Sequence, residues 1–339
     1  MSVTMKDIAA QLGVSQSLVS FVIGNNEKQL KQISKETQER VLRCAKELGY
    51  QRNELAASIK RGKSLEVGLL VSNMRVEFHA RVIEGILTSA EEKGYSIKLI
   101  KLCEEEDVEA SANLILKYHL CGLIFLGINY TRGNALHKKI DQEKLPYVYV
   151  TSDTIDPKPT DRFHPDERSG ILQAVRHLKE LGHSKIGYVT EALSALNHLR
   201  RFNVFLEVLQ AEDLVFCDED LIIIANQSIV LPNTYSASAY LCYNDLIAMK
   251  VLQSTLKHGI RIPQDLSVIG FDNHSCSVLT SPPLTTIKQD AFTMGSKCLE
   301  SLDLAIRDNS KDRAQEVLIP LQLIIRESTG ACLNTITSL

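Results

Sequence analysis

Nowhere in this chain does an apolar run approach the roughly 18 residues that a membrane-crossing helix requires, so the sequence offers no span of a bilayer. The first residues, MSVTMKDIAAQ, hold no apolar stretch and no small-residue cleavage pattern, and a cytoplasmic protein is expected. None of the eight cysteines (44, 103, 121, 217, 242, 276, 298 and 332) belongs to a Cys-x-x-Cys pair. Scattered thiols of this kind read as reduced core residues, and neither a zinc site nor a disulfide framework is expected. Gly-x-Ser-x-Gly, His-Glu-x-x-His and phosphate-loop motifs are also missing, and the nine histidines form no catalytic constellation. His177 and His183 lie six apart, a spacing that puts them on different faces of a helix. We therefore expect neither an enzyme nor a resident cofactor or metal.

What is present is an ordinary globular composition, 44% hydrophobic and 23% charged, in a chain of 339 residues. That length exceeds one hydrophobic core and implies two or three domains. Charge is distributed unevenly. Residues 1–63 carry 11 Lys/Arg against 6 Asp/Glu, a net of +5, which leaves −8 on the remainder. A small basic head on an acidic body points to a polyanionic partner for the head alone.

The first 50 residues read as three helices. Thr4 is the N-cap of a helix that runs through Leu12 and stops at Gly13. A second covers Ser15 to Ile23, and a third follows Ser34 with Val41, Leu42, Ala45 and Leu48 as its buried stripe. Ala9 at the crossing, Gly13 in the turn and Val19 and Val22 on the inner face satisfy a helix–turn–helix. The outer face of the second helix bears Ser15, Gln16, Ser17 and Ser20, short hydrogen-bonding side chains without a charge. Such groups suit base edges and phosphates in a DNA major groove, although any two short helices joined by a glycine share the bare outline.

From Leu65 the texture changes to short β-rich runs (LEVGLLV, SIKLIKL, GLIFLGI, PYVYVT) alternating with amphipathic helical stretches. After a polar segment with three prolines the alternation resumes with KIGYVT, LIIIA, a strand ending near Tyr243, and LSVIGF. Repeated βα units call for parallel sheets covered on both faces. The fold class expected is α/β, two doubly wound parallel-sheet lobes preceded by an all-α helix-turn-helix head. Ligands of such lobes bind at strand carboxyl ends and in the cleft between them.

The segments MKDIAAQLGVSQSLVSFVIGN, ELGYQRN and LAASIK resemble the head of the LacI/GalR family of bacterial transcription regulators. AVRHLKELGHSKIGYV, YNDLIAMKVL, GIRIPQDLSVIGFDN, SPPLTTIKQD and IIREST resemble its sugar-binding-protein-like core, in order along nearly the whole chain. The resemblance implies a head over 1–50, a hinge helix over 51–63, a first lobe over 64–161 plus about 291–320, and a second over 162–290 plus about 321–330. It implies base-reading positions at Gln16, Ser17, Ser20 and Phe21, and backbone or docking positions at Thr4, Ser15, Ser34, Thr37, Tyr50 and Asn53. Ile59 stands where the family places a minor-groove wedge. The implied partners are a palindromic double-stranded operator, a small-molecule effector, most simply a carbohydrate, and a second copy of the chain. One head covers only a half-site, which calls for a C2 homodimer, and the ten residues after IIREST are too few for a tetramerising helix.

In the cleft the family's effector positions correspond to Asp166, Arg201, Asn244 and Asp272. Several departures accompany them. Phe21 replaces the Arg or His common at that position, Arg52 replaces a proline, and the loop 25–33 is about three residues longer than is usual in the family. Val204 interrupts the usual Arg-x-x-Gly-aromatic pattern, and the stretch 221–244 is roughly nine residues short. RVEFH, residues 75–79, takes the place of a segment usually resembling SNPFF. Arg75 and His79 either line the cleft, where they would favour an anionic ligand, or lie on the surface. Two other readings stay open: a solute-binding protein with no DNA role, and a regulator that answers to a protein partner.

Overall fold

Ile8 and Val19 are fully buried in a unit of only about 60 residues, and the helices around them follow from that. The structure, a computed structural model, describes residues 3–24, 27–50, 65–102, 113, 117–128, 135–152, 160–191, 193, 196–224, 237–308 and 315–332. It separates into two units, Met1–Ser64 and Leu65–Leu339. In the first, helices α1 (Met5–Leu12), α2 (Gln16–Ile23) and α4 (Lys35–Glu47) enclose a core of Ile8, Ala9, Val19, Val22, Val41, Cys44 and Ala45. Gly13 terminates α1 at φ +66°, the left-handed conformation that a side chain would oppose. The short helix α3 (Glu27–Leu30) lies within the loop that sequence reading left without structure. The Gln38 amide donates to the carbonyls of Leu30 and Ile33 at 3.0 and 2.8 Å and ties that loop to α4.

The second unit contains two six-stranded sheets. The first joins β1 (Glu66–Val71), β2 (Ser96–Lys101), β3 (Gly122–Leu126), β4 (Tyr147–Val150), β5 (Arg162–Pro165) and β11 (Glu316–Ile319). Its order is β11-β5-β4-β3-β1-β2, parallel throughout. The second joins β6 (Ile186–Thr190), β7 (Leu221–Ile223), β8 (Ala239–Cys242), β9 (Ser267–Asp272), β10 (Thr285–Gln289) and β12 (Leu321–Ile324). Its order is β12-β10-β9-β8-β6-β7, with only β12 antiparallel to its neighbour. Each sheet therefore has a switch point beside its first strand, where crossovers leave in opposite directions. The β1, β3 and β6 runs contain five consecutive buried residues each, the pattern of strands covered on both faces.

Covering the sheets are α5 (Glu77–Lys93), α6 (Ala135–Glu143) and α10 (Ala291–Asp308) on the first lobe, and α7 (Glu167–Glu180), α8 (Leu196–Ala211) and α9 (Asp245–Lys257) on the second. The chain crosses between lobes three times: after β5, after β10, and at Pro320 between β11 and β12. Strand β5 lies inside the polar, proline-bearing segment, where the local pattern gives no strand signal. It forms because β4 and β11 supply ladder partners on both sides.

Helices α5 and α10 touch through backbone. A Cβ added at Gly85 would lie 2.1 Å from the Phe292 carbonyl oxygen, and one at Gly295 would lie 2.1 Å from that of Val82. Replacing Gly295 with Ala must push the helices apart, and overpacking of this kind costs about 1–3 kcal/mol. The urea midpoint should fall accordingly; an unchanged midpoint would contradict this close crossing.

Candidate functional site

On α2 the inner face is spent on the core, and the outer face begins with Gln16 and Ser17, both exposed, followed by the half-buried Ser20 and Phe21. Ser15 is the N-cap, its Oγ accepting from the Leu18 amide at 3.1 Å. Thr4 donates through both its amide and its hydroxyl to the Asp7 carboxylate, at 2.8 and 2.7 Å. Ser34 caps α4 by accepting from the Thr37 amide at 3.2 Å, and its hydroxyl lies 2.8 Å from that of Thr37. Tyr50 is half-buried against the head core. Thr4, Ser15 and Ser34 thus have structural duties at helix starts, where their exposed edges also lie near free helix N–H groups. Asn53 and Ile59 lie outside the described residues, as do Arg52 and the rest of the hinge.

In the core unit the polar candidates gather at the carboxyl ends of the strands. Asp166 and Asn244 are the N-caps of α7 and α9, accepting from Ser169 at 3.1 Å and Ile247 at 2.9 Å. Arg201 is buried on α8, its Nε donating to Glu167 at 2.9 Å and its Nη1 to the Tyr243 carbonyl at 2.6 Å. The guanidinium also sits 3.6 Å from the ring centroid of Phe271 and 4.6 Å from that of Tyr243. Glu167, 5% exposed, takes a second bond from Arg200. Burial opposes its ionisation, but the Arg201 and Arg200 charges outweigh that and hold it below the usual carboxylate range.

A second cluster joins the two lobes. Glu77, at the start of α5, meets the loop after β9. Its carboxylate accepts from the Ser275 amide (3.0 Å) and hydroxyl (3.1 Å), and lies 3.0 Å from His274 Nδ1. Arg81 donates to it from the first lobe at 2.9 Å. The other imidazole nitrogen of His274 is 3.6 Å from Asp272. Asp272, at φ +104°, is held in that strained backbone by the Gln289 amide, which donates to it at 2.6 Å. Glu77, Phe78 and Arg81 from one lobe and Asp272, His274 and Gln289 from the other line a small recess. Gln289 Oε1 is buried there without a hydrogen-bond partner.

Arg75 and His79, left open between cleft and surface, are not among the residues that line this recess. Arg75 is exposed, its amide bound to Asn73. His79 turns Nδ1 to the Asn73 carbonyl at 2.6 Å, packs over Gly127, and is driven by burial below the ordinary imidazole range. An uncharged ring supplies no attraction for an anion. The cations beside the recess are Arg81 and His274, and both are already paired with carboxylates.

The sequence pattern of the bacterial regulatory proteins, lacI family, matches residues 4–53, and that of the periplasmic binding protein-like domain matches residues 175–329. The chain belongs to the LacI family. It is a DNA-binding transcription regulator with two α/β lobes behind its helix–turn–helix. This LacI-family chain is 28% identical to the HTH-type transcriptional repressor PurR of Histophilus somni, over 96% of its own length and 98% of the relative's. Its fold is similar to that of a lac repressor dimer bound to operator and the anti-inducer ONPF (TM-score 0.79, 24% identity, 98% and 100% of the two chains). It is also similar to that of the regulator CelR in complex with cellobiose (TM-score 0.67, 23% identity, 96% and 99%). Among the described residues no helix is long and apolar enough to cross a membrane, and no group of side chains could hold a metal.

Sequence reading of this LacI-family regulator passed over Glu77, Glu167, Tyr243, His274 and Gln289. All but Gln289, which lies in the SPPLTTIKQD segment, are within a few residues of a position that was singled out, but the role of each depends on a partner between 17 and 198 residues away, as Gln289–Asp272 and Glu77–Ser275 illustrate. Within the stretch 221–244, residues 225–236 lie outside the described residues. The IIREST segment does have a local explanation: Arg326 donates to the Leu284 carbonyl at 2.6 Å, Asn273 Oδ1 at 2.7 Å and Ser277 Oγ at 3.0 Å, pinning the loop that carries His274.

Asp245 supports the same loop from beneath, accepting from the His274 amide at 2.7 Å and from Thr286 at 2.5 Å. Burial, reinforced by the charge of Asp272 and opposed by the Thr286 bond, raises its carboxyl to about 7. Because this exceeds the unfolded value, folding holds the proton more tightly; the contribution is full below about pH 4 and declines as pH rises to about 7. Asp245→Asn removes that slope. Relative to wild type the variant should gain stability across this window, by at most about 1.4 kcal/mol per pH unit, read from urea midpoints at pH 5 and pH 7.5. Parallel curves would refute the assignment.

Proposed function

We propose that this regulator is a repressor that binds a palindromic operator as a C2 homodimer and releases it, or is held on it, through a small polar ligand bound between the lobes. The observation that carries the DNA reading is the Gln16–Ser17 pair, exposed and uncharged at the amino end of a helix whose opposite face is wholly committed to the head core. A glutamine amide pairs in two-point fashion with adenine, and serine hydroxyls serve either base edges or phosphates. Ser20 extends this face. Phe21, half-buried, offers a thymine methyl contact in place of the guanine contact that Arg would make. Thr4, Ser15, Ser34, Thr37, Tyr50 and Asn53 are assigned to the phosphate backbone, and Ile59 to the minor-groove step.

The dimer follows from the two-fold symmetry of a palindrome. It is supported by Leu256 and Leu279, which are 80% and 82% exposed on the second lobe, and the related lac repressor is a dimer on its operator. The ligand reading rests on Asp272 and Gln289 in the recess, together with the polar residues Asp166, Arg201 and Asn244 that follow strand ends of the same unit. A carbohydrate, which donates and accepts through many hydroxyls, suits this neutralised polar wall better than a phosphorylated compound. The related CelR binds cellobiose.

Replacing Gln16 and Ser17 together with Ala should weaken binding to the cognate operator by at least about tenfold, since each good base contact is worth about 1–3 kcal/mol. Binding to unrelated duplex should keep its affinity and its salt slope. Retained operator preference in a competition assay would remove α2 from the readout. In a calorimetric screen of mono- and disaccharides, Asp272→Ala should abolish any heat that wild type gives; equal heats from both would place the ligand elsewhere.

A further inference from the structure

We propose that the core unit carries its own latch: the His274 ring and the Ser275 backbone and hydroxyl, all from the second lobe, grip the Glu77 carboxylate of the first and hold the cleft closed with no ligand in it. Four contacts of 3.0 to 3.2 Å converge on this single carboxylate across the lobes. They form the cross-lobe polar network of the recess, and neither end is loose. Arg81 orients Glu77 from one turn along α5, at 2.9 Å. On the other side the loop is fixed at three points: Asp245 holds the His274 amide, Arg326 holds Asn273, and Thr286 Oγ1 accepts from the Asn273 amide at 3.2 Å.

The imidazole is the hinge pin of this arrangement. It stands between Glu77 at 3.0 Å and Asp272 at 3.6 Å and is 8% exposed. The charged and titratable groups facing it are Glu77 and Arg81 from α5, Asp272 from β9 and Asp245 from α9; His79 lies near Asp272. The bond to Asp272 leads, burial opposes, and Asp272 and Glu77 together raise His274 to about 9. Burial opposes the ionisation of Glu77, but the Ser275 amide with Arg81, His274 and the Ser275 hydroxyl lowers it to about 2. Both partners are therefore charged at neutral pH. Asp245 has its midpoint near pH 7 and His79 lies below the ordinary imidazole range, so the transition centred near pH 9 belongs to His274. A ligand seated against Asp272 and Gln289 has to displace or reuse these bonds, which makes the latch a threshold for the effector.

The test uses the full chain without added ligand. Small-angle scattering should show a larger radius of gyration for Glu77→Ala than for wild type at pH 7.5. Amide exchange over residues 273–279 should be at least about tenfold faster in that variant. Wild type should expand on raising the pH from 7 to 10 with a midpoint near 9, and His274→Gln should be expanded already and lack the transition. The double variant should open no further than either single one. Wild-type scattering and exchange in Glu77→Ala, or no transition in wild type between pH 7 and 10, would overturn the latch. These two measurements decide the matter even where His274→Gln fails to fold.

Discussion

Parallel strands buried on both faces leave polar chemistry almost nowhere to go except their ends. Buried residues run unbroken to the ends of β1, β3 and β6 and up to the last position of β9, and polar groups enter at those ends with Ser72 after β1, the buried Thr190 closing β6 and Asp272 closing β9. The ladder ends, backbone groups need new partners, and the flanking helix starts supply positive dipole ends that favour Asp166, Glu167 and Asn244. Because both sheets have the same winding, the two sets of ends meet across one cleft. The recess is the consequence of satisfying this geometry twice in one chain.

Within that recess most charges are neutralised before any ligand arrives. Glu77 is bound by Arg81 and His274, and Asp272 by Gln289 and His274; outside the recess lining, Arg201 is bound by Glu167. Breaking one partner of a buried pair is far costlier than the pair is stabilising. A ligand entering such a recess would have to replace the lost bonds in kind. The head obeys a different logic. Its core is small, the outer face of α2 begins with uncharged polar side chains, and residues 1–63 carry a basic surplus.

The sequence was legible where signals are local. The caps Thr4, Ser15 and Ser34, the stop at Gly13, and the apolar runs of β1, β3 and β6 all declare their structure within a few residues. Strand β5 and the single turn α3 do not, because one is selected by ladder partners β4 and β11 and the other is tied down by Gln38. Asp166, Arg201, Asn244 and Asp272 stood out in the sequence as polar residue types, and their partners did not. Arg201 was visible as a cation, whereas its neutralisation by Glu167 was not. The environment of His79 was hidden for the same reason, since its burial over Gly127 is a property of the packed lobe.

What the amino-acid order determined by itself is the alternation of βα units, the helix–turn–helix with its uncharged outer face, and the family to which both belong, since periodicity and capping act over one or two turns of chain. What only the tertiary structure decided is which polar groups meet. Glu77 and Ser275 are 198 residues apart and lie on different lobes. Their contact depends on two independently wound sheets, three crossings of the chain, and a loop pinned by Arg326 near the far end of it. Hydrogen bonds depend on ångström-scale placement, and over such a separation no local pattern in the sequence can specify it.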